Sequence, residues 1–141
     1  MRDKQAMFIG LSMSLILWIC WSCKDDITGG PSTIVFPDSG VHYGTHVEPL
    51  FLQSCAFSGC HGEDTFDSRG FSLETYEHAT SRVGIIIPCR RGEACNPENS
   101  ILVRRIEGLD GLEQMPKFRP PLNSNQINGI KTWIREGAQN N

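Results

Sequence analysis

The chain has 141 residues, a length that fits one small domain. Its 13 lysines and arginines nearly balance its 16 aspartates and glutamates, and the formal net charge is −3 at pH 7. This balance gives no indication of a nucleic-acid-binding protein. The 14 glycines and 8 prolines are typical of short helices joined by loops.

The N-terminal segment has the pattern of an export signal. The charged start Met1–Gln5 precedes an almost wholly apolar stretch from Ala6 to Trp21. This stretch is shorter than the roughly 20 residues of a membrane-spanning helix, and it has the length of a signal-peptide core. We therefore predict that residues 1–22 are a signal peptide of the lipoprotein type.

A cysteine at the end of this segment is the predicted lipidation site. Cys23 follows the small residue Ser22, as in a bacterial lipobox, whereas Cys20 follows the bulky Ile19. The charged tract Lys24–Asp26 resembles the start of surface-exported lipoproteins of Bacteroidetes. The expected protein is thus extracytoplasmic and lipid-anchored to a bacterial membrane, in the periplasm or on the cell surface. An uncleaved anchor helix and a plain signal peptide with incidental cysteines remain open.

The next segment is predicted to be a flexible tether, and the folded domain is predicted to follow it. Residues 23–44 form the tether, since Ile27 to Gly44 is rich in Gly, Pro, Ser and Thr. The domain spans residues 45–141. It begins with a helix whose start, Thr45 to Glu48, has the form of a capping box. Four residues share one face of this helix: Val47, Leu50, Phe51 and Ser54.

A cysteine and histidine motif follows this helix directly. Cys55, Cys60 and His61 form a C-x4-C-H pattern, and C-x-x-C-H is the signature of covalent haem attachment. Each cysteine would form a thioether with the porphyrin, and His61 would supply a nitrogen ligand to the iron. The gap between the cysteines is wider than in C-x-x-C-H, and Ser58-Gly59 permits a tight turn that takes up the extra length.

The middle of the chain has weaker helical signals and a second pair of cysteines. Ser72 to Val83 is predicted to be a helix, with four apolar residues at helical spacing: Leu73, Tyr76, Ala79 and Val83. Cys89 and Cys95 lie close together in the chain and are not needed for haem attachment. Because export exposes the protein to an oxidising environment, this pair is free to close a small disulfide loop.

Two further helices are predicted before the C-terminus. Asn96-Pro97 has the form of a helix start, and that helix carries Ile101, Leu102 and Ile106 and stops at Gly108. The last helix has the clearest signals, since Asn123 and Gln126 have the spacing of a capping box and Leu122 and Ile127 that of a hydrophobic staple. Its buried stripe comprises Ile127, Ile130, Trp133 and Ile134, and Gly137 ends it.

Met115 is the predicted second axial ligand. The other three methionines, Met1, Met7 and Met13, lie in the predicted signal peptide, and a haem iron in an electron carrier often takes a methionine ligand. Pro116 constrains the backbone next to Met115 and favours a loop rather than a helix. The alternative is that Met115 fills a gap in the core. Four cations lie near this loop in the chain: Lys117, Arg119, Arg104 and Arg105. They form either a basic rim, which pairs with the haem propionates or steers an acidic partner, or an ordinary solvated face.

In their order along the chain, these features resemble a monohaem cytochrome c domain of the type common in Bacteroidetes and Planctomycetes. The resemblance runs from about Glu48 to Ala138. It rests on the C-x4-C-H motif and on residues that include Leu50-Phe51, Leu73, Thr75-Tyr76, Pro88, Asn99-Ser100, Arg105-Ile106, Gln114-Met115-Pro116, Gln126-Ile127, Trp133-Ile134 and Gly137-Ala138.

The resemblance implies a fold, a cofactor and a function. The fold is all-α and cytochrome c-like, with the first and last helices packed together around one covalently bound haem c, and Phe51 and Trp133 are the expected contact. The function is transfer of single electrons between redox partner proteins, with His61 proximal and Met115 distal to the iron. The protein is then a carrier rather than an enzyme, although haem-based catalysis and membership of a larger membrane-associated complex stay open.

Two alternatives belong to other functional classes. A zinc-binding or disulfide-stapled secreted interaction module would use Cys55, Cys60, His61, Cys89 and Cys95. Against it, Cys60 and His61 are adjacent, and adjacent residues rarely chelate the same small ion. A haem peroxidase-like enzyme would need an open sixth position and a distal acid or base, for which the chain offers His42, His46 and His78.

Overall fold

The computed structural model describes residues 34–109, 111 and 113–141, and every regular element within these residues is helical. The α-helices are α1 (Glu48–Ser54), α2 (Phe66–Arg69), α3 (Tyr76–Thr80), α4 (Ile101–Glu107) and α5 (Ser124–Arg135). A π-helical turn, Tyr43–Val47, precedes α1, and short 3-10 turns occupy Glu63–Thr65 and Pro97–Asn99. The predicted all-α class is confirmed for the described part of the chain.

The membrane-related predictions concern a different part of the chain. Residues 1–22 and Cys23 lie outside the described residues. Among the helices that the structure describes, none has the length and apolar character needed to cross a bilayer.

An aromatic cluster around Trp133 forms the centre of the core. The side chain of Trp133 is fully buried, and its ring centroid lies 5.7 Å from that of Tyr43 and 6.5 Å from those of Phe51 and Tyr76. The indole N–H donates a hydrogen bond to the Gln139 carbonyl at 3.0 Å. The expected Phe51–Trp133 contact between α1 and α5 is therefore present, in an edge-to-face arrangement.

Helix α5 agrees closely with its sequence signals. The Asn123 side chain accepts the Gln126 N–H at 2.9 Å, and the Gln126 side chain accepts the Asn123 N–H at 3.1 Å, which completes the capping box. Of the predicted buried stripe, Ile130, Trp133 and Ile134 are buried and Ile127 is half-buried. On its other face, Lys131 forms ion pairs with Glu98 at 2.8 Å and Glu107 at 2.9 Å. These pairs join α5 to the α4 region.

The predicted tether extends too far into the folded domain. Residues 34–42, here called the N-terminal strap, run against α5 and place Phe36 and Val41 in the core. Phe36 packs on Gly129, where an added Cβ would lie 2.1 Å from the Phe36 ring. The described domain therefore begins before Thr45.

Hydrogen bonds from α5 hold the backbone of the strap. The Asn125 amide accepts the Phe36 N–H at 2.8 Å and donates to the Phe36 carbonyl at 2.9 Å. The Glu136 carboxylate accepts the N–H groups of Gly40 and Val41 at 2.7 and 2.8 Å. The short apolar run Ile34–Phe36 and the single Val41 have no helical period in this Gly- and Pro-rich segment, so the pattern predicted a linker.

Two predicted helices are shorter than their apolar spacing indicated. The Thr75 hydroxyl accepts the His78 N–H at 3.3 Å, so α3 begins at Tyr76 rather than Ser72. Val83, predicted to end this helix, is 96% exposed, since α3 ends at Thr80. Thr45 likewise makes no cap for α1, because a π-helical turn runs into that helix.

The helix predicted from Asn96 is divided in two. Asn96 accepts the Glu98 N–H at 3.0 Å, as a cap should, but the turn it starts ends at Asn99. Ser100 is extended (φ −74°, ψ 130°), and its buried hydroxyl accepts the Ile87 N–H at 2.9 Å. Helix α4 then begins at Ile101, whose side chain is 41% exposed. The hydrogen bond to Ile87 accounts for the break.

Candidate functional site

The Cys55–His61 loop begins where α1 ends. The Cys55 N–H closes α1 by donating to the Phe51 carbonyl at 2.8 Å. The Phe57 carbonyl then accepts the N–H groups of Cys60 at 2.9 Å and Gly62 at 3.1 Å. The turn predicted at Ser58-Gly59 is confirmed, and Gly59 has φ +74°, a conformation that favours glycine. The two cysteines of the motif are thus joined by a compact, hydrogen-bonded loop.

Asp64 holds this loop from outside. One carboxylate oxygen accepts the Ser58 hydroxyl and the Gly59 N–H, both at 2.8 Å. These bonds, the one from Gly59 first, lower the pKa of Asp64. The Thr65 hydroxyl lies 2.9 Å from the Cys60 carbonyl oxygen and supports the same turn. The loop is therefore fixed by groups of the chain itself.

His61 lies between an aromatic ring and a cavity. Its ring stacks on Phe71 with 5.0 Å between centroids and 30° between planes, and its carbonyl accepts the Leu73 N–H at 2.8 Å. Its Nδ1 atom is buried and has no hydrogen-bond partner among the described residues. Burial, and to a lesser extent the charge of Arg69, lower the pKa of His61. These conditions favour a neutral imidazole, the form that binds a metal.

Two cavities of about 320 and 270 Å³ share walls at this site. Cys55, His61, Arg69 and Met115 line both of them. The rest of the larger cavity is mainly apolar: Phe71, Leu73, Ile85, Ile101, Leu102 and Ile106, with Arg82 and Arg105. The smaller one is completed by Ser54, Gly59, Cys60, Pro116, Lys117 and Phe118. The structure therefore brings Met115 to the same cavities as the C-x4-C-H motif.

Met115 and Cys55 have different surroundings at this site. Met115 is half-buried, and its N–H donates to the Arg105 carbonyl at 2.8 Å, which fixes the loop to α4. The Cys55 thiol is enclosed, and burial, with a smaller effect of Cys60, raises its pKa to about 12. Both sulfur atoms thus belong to uncharged side chains near neutral pH, as an apolar cavity requires.

The other described cysteines and histidines lie elsewhere. Cys89 and Cys95 are disulfide-bonded with Cα atoms 5.4 Å apart. The His42 N–H donates to Nδ1 of His46 at 3.1 Å, and Nδ1 of His78 lies 2.7 Å from a carboxylate oxygen of Glu63. Among the residues that the structure describes around the two cavities, none of these three histidines contributes to the walls.

The predicted basic rim is only partly placed at the site. Arg105 and Lys117 line the cavities, and Lys117 also pairs with Glu113 at 2.9 Å. Arg119 instead stacks on the ring of Phe57 at 3.7 Å. The sequence analysis missed Arg69 and Arg82, because the short helix α2 and the loop after α3 have no distinctive pattern.

No family model, curated protein or solved structure matches the chain. Within the described ranges, no three His, Cys, Asp or Glu side chains form a group suited to hold a metal ion. What supports a function is therefore the geometry of the two cavities and of the Cys55–His61 loop.

Proposed function

We propose that the protein is an extracytoplasmic electron carrier with one covalently attached haem c. Cys55 and Cys60 would form the thioethers, and His61 and Met115 would be the axial ligands. The observation that carries the proposal is that Cys55, His61 and Met115 line the same pair of cavities, although Met115 is remote from the other two in the chain.

The residues at the site fit such a group. The walls of the larger cavity are mostly aliphatic or aromatic, as a porphyrin requires, and ligand sites typically have volumes of about 300–1,000 Å³. A buried, unpartnered ring nitrogen costs about 1–3 kcal/mol, and metal coordination uses the imidazole in its neutral form. His61 has such a buried, unpartnered nitrogen, and its lowered pKa favours the neutral imidazole.

Each part of the chain then has a definite task. The Asp64-supported turn positions Cys60 relative to Cys55, and Phe71 orients the His61 ring. The hydrogen bond to the Arg105 carbonyl positions Met115. When bound, haem supplies a one-electron iron couple, and methionine with histidine ligation gives it a higher reduction potential than two histidines would.

The contacts of the other candidate residues favour this function over a zinc site and over a peroxidase. A zinc site would need Cys89 and Cys95, but their sulfur atoms are bonded to each other. This disulfide is compatible with the disulfide-stapled interaction module, which would give Met115 no role. A peroxidase would need a distal acid or base, whereas its candidates have other contacts: His46 interacts with His42, and His78 with Glu63. Electron exchange with redox partner proteins of unknown identity needs neither a zinc site nor a distal base.

The lipid anchor completes the proposal. Cys23, lipidated after signal-peptide cleavage, would hold the domain on a bacterial membrane, in the periplasm or on the cell surface. The Cys89–Cys95 disulfide suits such an oxidising location. Changing Cys23 to Ala is expected to move the protein from the membrane fraction to the soluble fraction. Retention on the membrane with the apolar segment still attached would instead favour the uncleaved-anchor alternative.

The ligand assignment is tested by the spectrum of the purified holoprotein. The oxidised wild type is expected to show a Soret band and the weak near-infrared band of sulfur-to-iron charge transfer. Met115→Ala should remove the near-infrared band, open the iron to carbon monoxide and lower the reduction potential. Leu52→Ala is the control, because Leu52 is 47% exposed on α1 and its loss should leave the spectrum unchanged.

Two results would contradict this assignment. A protein with no Soret band would contradict the haem itself. A Met115→Ala variant with the wild-type near-infrared band and potential would show that another residue is the sixth ligand.

A further inference from the structure

Three arginines line the larger cavity and come from three separate parts of the fold. Arg69 is the last residue of α2, Arg82 follows α3, and Arg105 lies in α4. We call them the arginine cluster. Of the described residues that line this cavity, none is an aspartate or a glutamate. The cavity therefore combines an apolar wall with a concentration of positive charge.

The chain fixes each member of the arginine cluster through a neutral group. Arg69 donates to the Gly59 carbonyl at 3.3 Å, and Arg82 donates to the Arg69 carbonyl at 2.6 Å. Arg105 donates to the Glu113 carbonyl at 3.3 Å. A guanidinium has five N–H donors and carbonyls do not neutralise its charge. Donors and charge therefore remain available for a ligand.

Carboxylates of the described residues do not neutralise the arginine cluster. Ion pairs between described side chains involve Glu63, Glu98, Glu107 and Glu113, and their partners are histidine or lysine. Asp64 experiences the charge of Arg69, but its oxygen bonds Ser58 and Gly59. Three like charges around one cavity repel one another, so a bound anion would stabilise the arrangement.

We propose that the arginine cluster is the carboxylate-binding subsite of the larger cavity, and that it binds the two propionate groups of haem. This inference rests on the proposed haem site. A ligand with an apolar, planar body and carboxylate groups matches a cavity that is lined by both apolar side chains and three guanidinium groups. Arginine binds carboxylates through paired N–H donors and is always charged, which suits it to this task.

The structure distinguishes this cluster from the other cations near the site. Lys117 is paired with Glu113, and Arg119 lies over the ring of Phe57. Neither is expected to be the main contact of the carboxylates. Arg90, in the exposed disulfide loop, carries the same charge and does not line the cavity, so it provides a matched control.

The test uses holoprotein variants Arg69→Gln, Arg82→Gln and Arg105→Gln, with Arg90→Gln as the control. The first measurement is the propionate bending mode in the resonance Raman spectrum, which is expected to shift in each cluster variant and to stay unchanged in the control. The second is the reduction potential, which should fall in the cluster variants, because losing a nearby positive charge favours the ferric state.

The possible outcomes separate the inference from the proposed function. If the purified wild-type protein carries no haem, the proposed function itself is contradicted, and the Raman and potential measurements do not apply. If the cluster variants carry haem and their propionate mode is unshifted, the carboxylate-binding subsite is overturned, but the proposed haem function is not. This holds even if the reduction potential falls, because the arginines would then act only through their long-range charge. If a glutamine variant fails to accumulate, Arg→Lys at that position keeps the charge and removes the paired donors. Its propionate mode should still shift, and an unshifted mode overturns the subsite.

Discussion

The two sides of this small domain are completed in different ways. Around Trp133, side chains of the protein fill the interior, and Tyr43, Phe51 and Tyr76 surround the indole at 5.7–6.5 Å. Around His61, cavities of about 320 and 270 Å³ remain, and a buried ring nitrogen has no partner among the described residues. The side chains of the protein therefore fill the Trp133 side, whereas the His61 side keeps open volume, and this open volume is where the proposed haem would bind.

The largest effect is expected on the Trp133 side. Trp133→Ala removes the centre of the aromatic cluster and should lower the free energy of unfolding by about 3–5 kcal/mol. Phe71→Ala, at the cavity, removes a half-buried ring and should cost less, since that ring already borders open space. Urea unfolding of both variants measures the difference. Equal losses would contradict the distinction between the two sides.

The N-terminal strap gives a second, smaller test of how the filled side is built. In Gly129→Ala the new methyl group would lie 2.1–2.4 Å from atoms of Phe36, so the strap must move. The expected loss is about 1–3 kcal/mol, the range for overpacking.

Gly44→Ala is the matched control for this change. Its added Cβ would meet only the Asn141 carbonyl oxygen, at an ordinary 3.7 Å. Thermal unfolding of both variants measures the effect. A Gly129→Ala protein as stable as Gly44→Ala would show that the strap does not pack on α5.

Elements whose signals come from neighbours in the chain could be predicted from the sequence, whereas elements that depend on distant residues could not. Helix α5 could be predicted because its cap, from Asn123 to Gln126, and its apolar stripe are formed by neighbours in the chain. Phe36 was assigned to a tether because only the distant Gly129 makes its burial possible. Ser100 breaks the predicted Asn96 helix through a hydrogen bond to Ile87, which no periodicity reveals.

The same reasoning applies to the candidate site. Cys55, Cys60 and His61 form a motif that is visible in sequence, whereas their proximity to Met115 is a property of the folded chain. Arg69 and Arg82 belong to short, irregular segments, and only the fold brings them to the cavity wall. Charge that converges from separate elements leaves no spacing pattern to detect.

The smallest expected effect concerns the loop that carries the cysteines. Asp64 accepts two hydrogen bonds that lower its pKa in the folded protein. A lowered pKa gives stability that is complete above the unfolded value of about 3.9 and is lost as pH falls through the folded value. Asp64→Asn should therefore reduce stability near neutral pH and weaken the decline of stability in acid.

Asp67→Asn, on the exposed part of α2, is the control. Identical acid unfolding of wild type and Asp64→Asn would contradict the assigned role of Asp64.

The most direct test of the central claim is the mass of one peptide. Trypsin should release a fragment that ends at Arg69 and contains Cys55, Cys60 and His61. If Cys55 and Cys60 hold haem through thioethers, this fragment from denatured protein should be heavier than its amino-acid sequence by one haem. Fragmentation should then place the added mass on the two cysteines. A fragment with the mass of the unmodified peptide, from protein matured in a host that attaches haem c, would contradict the account.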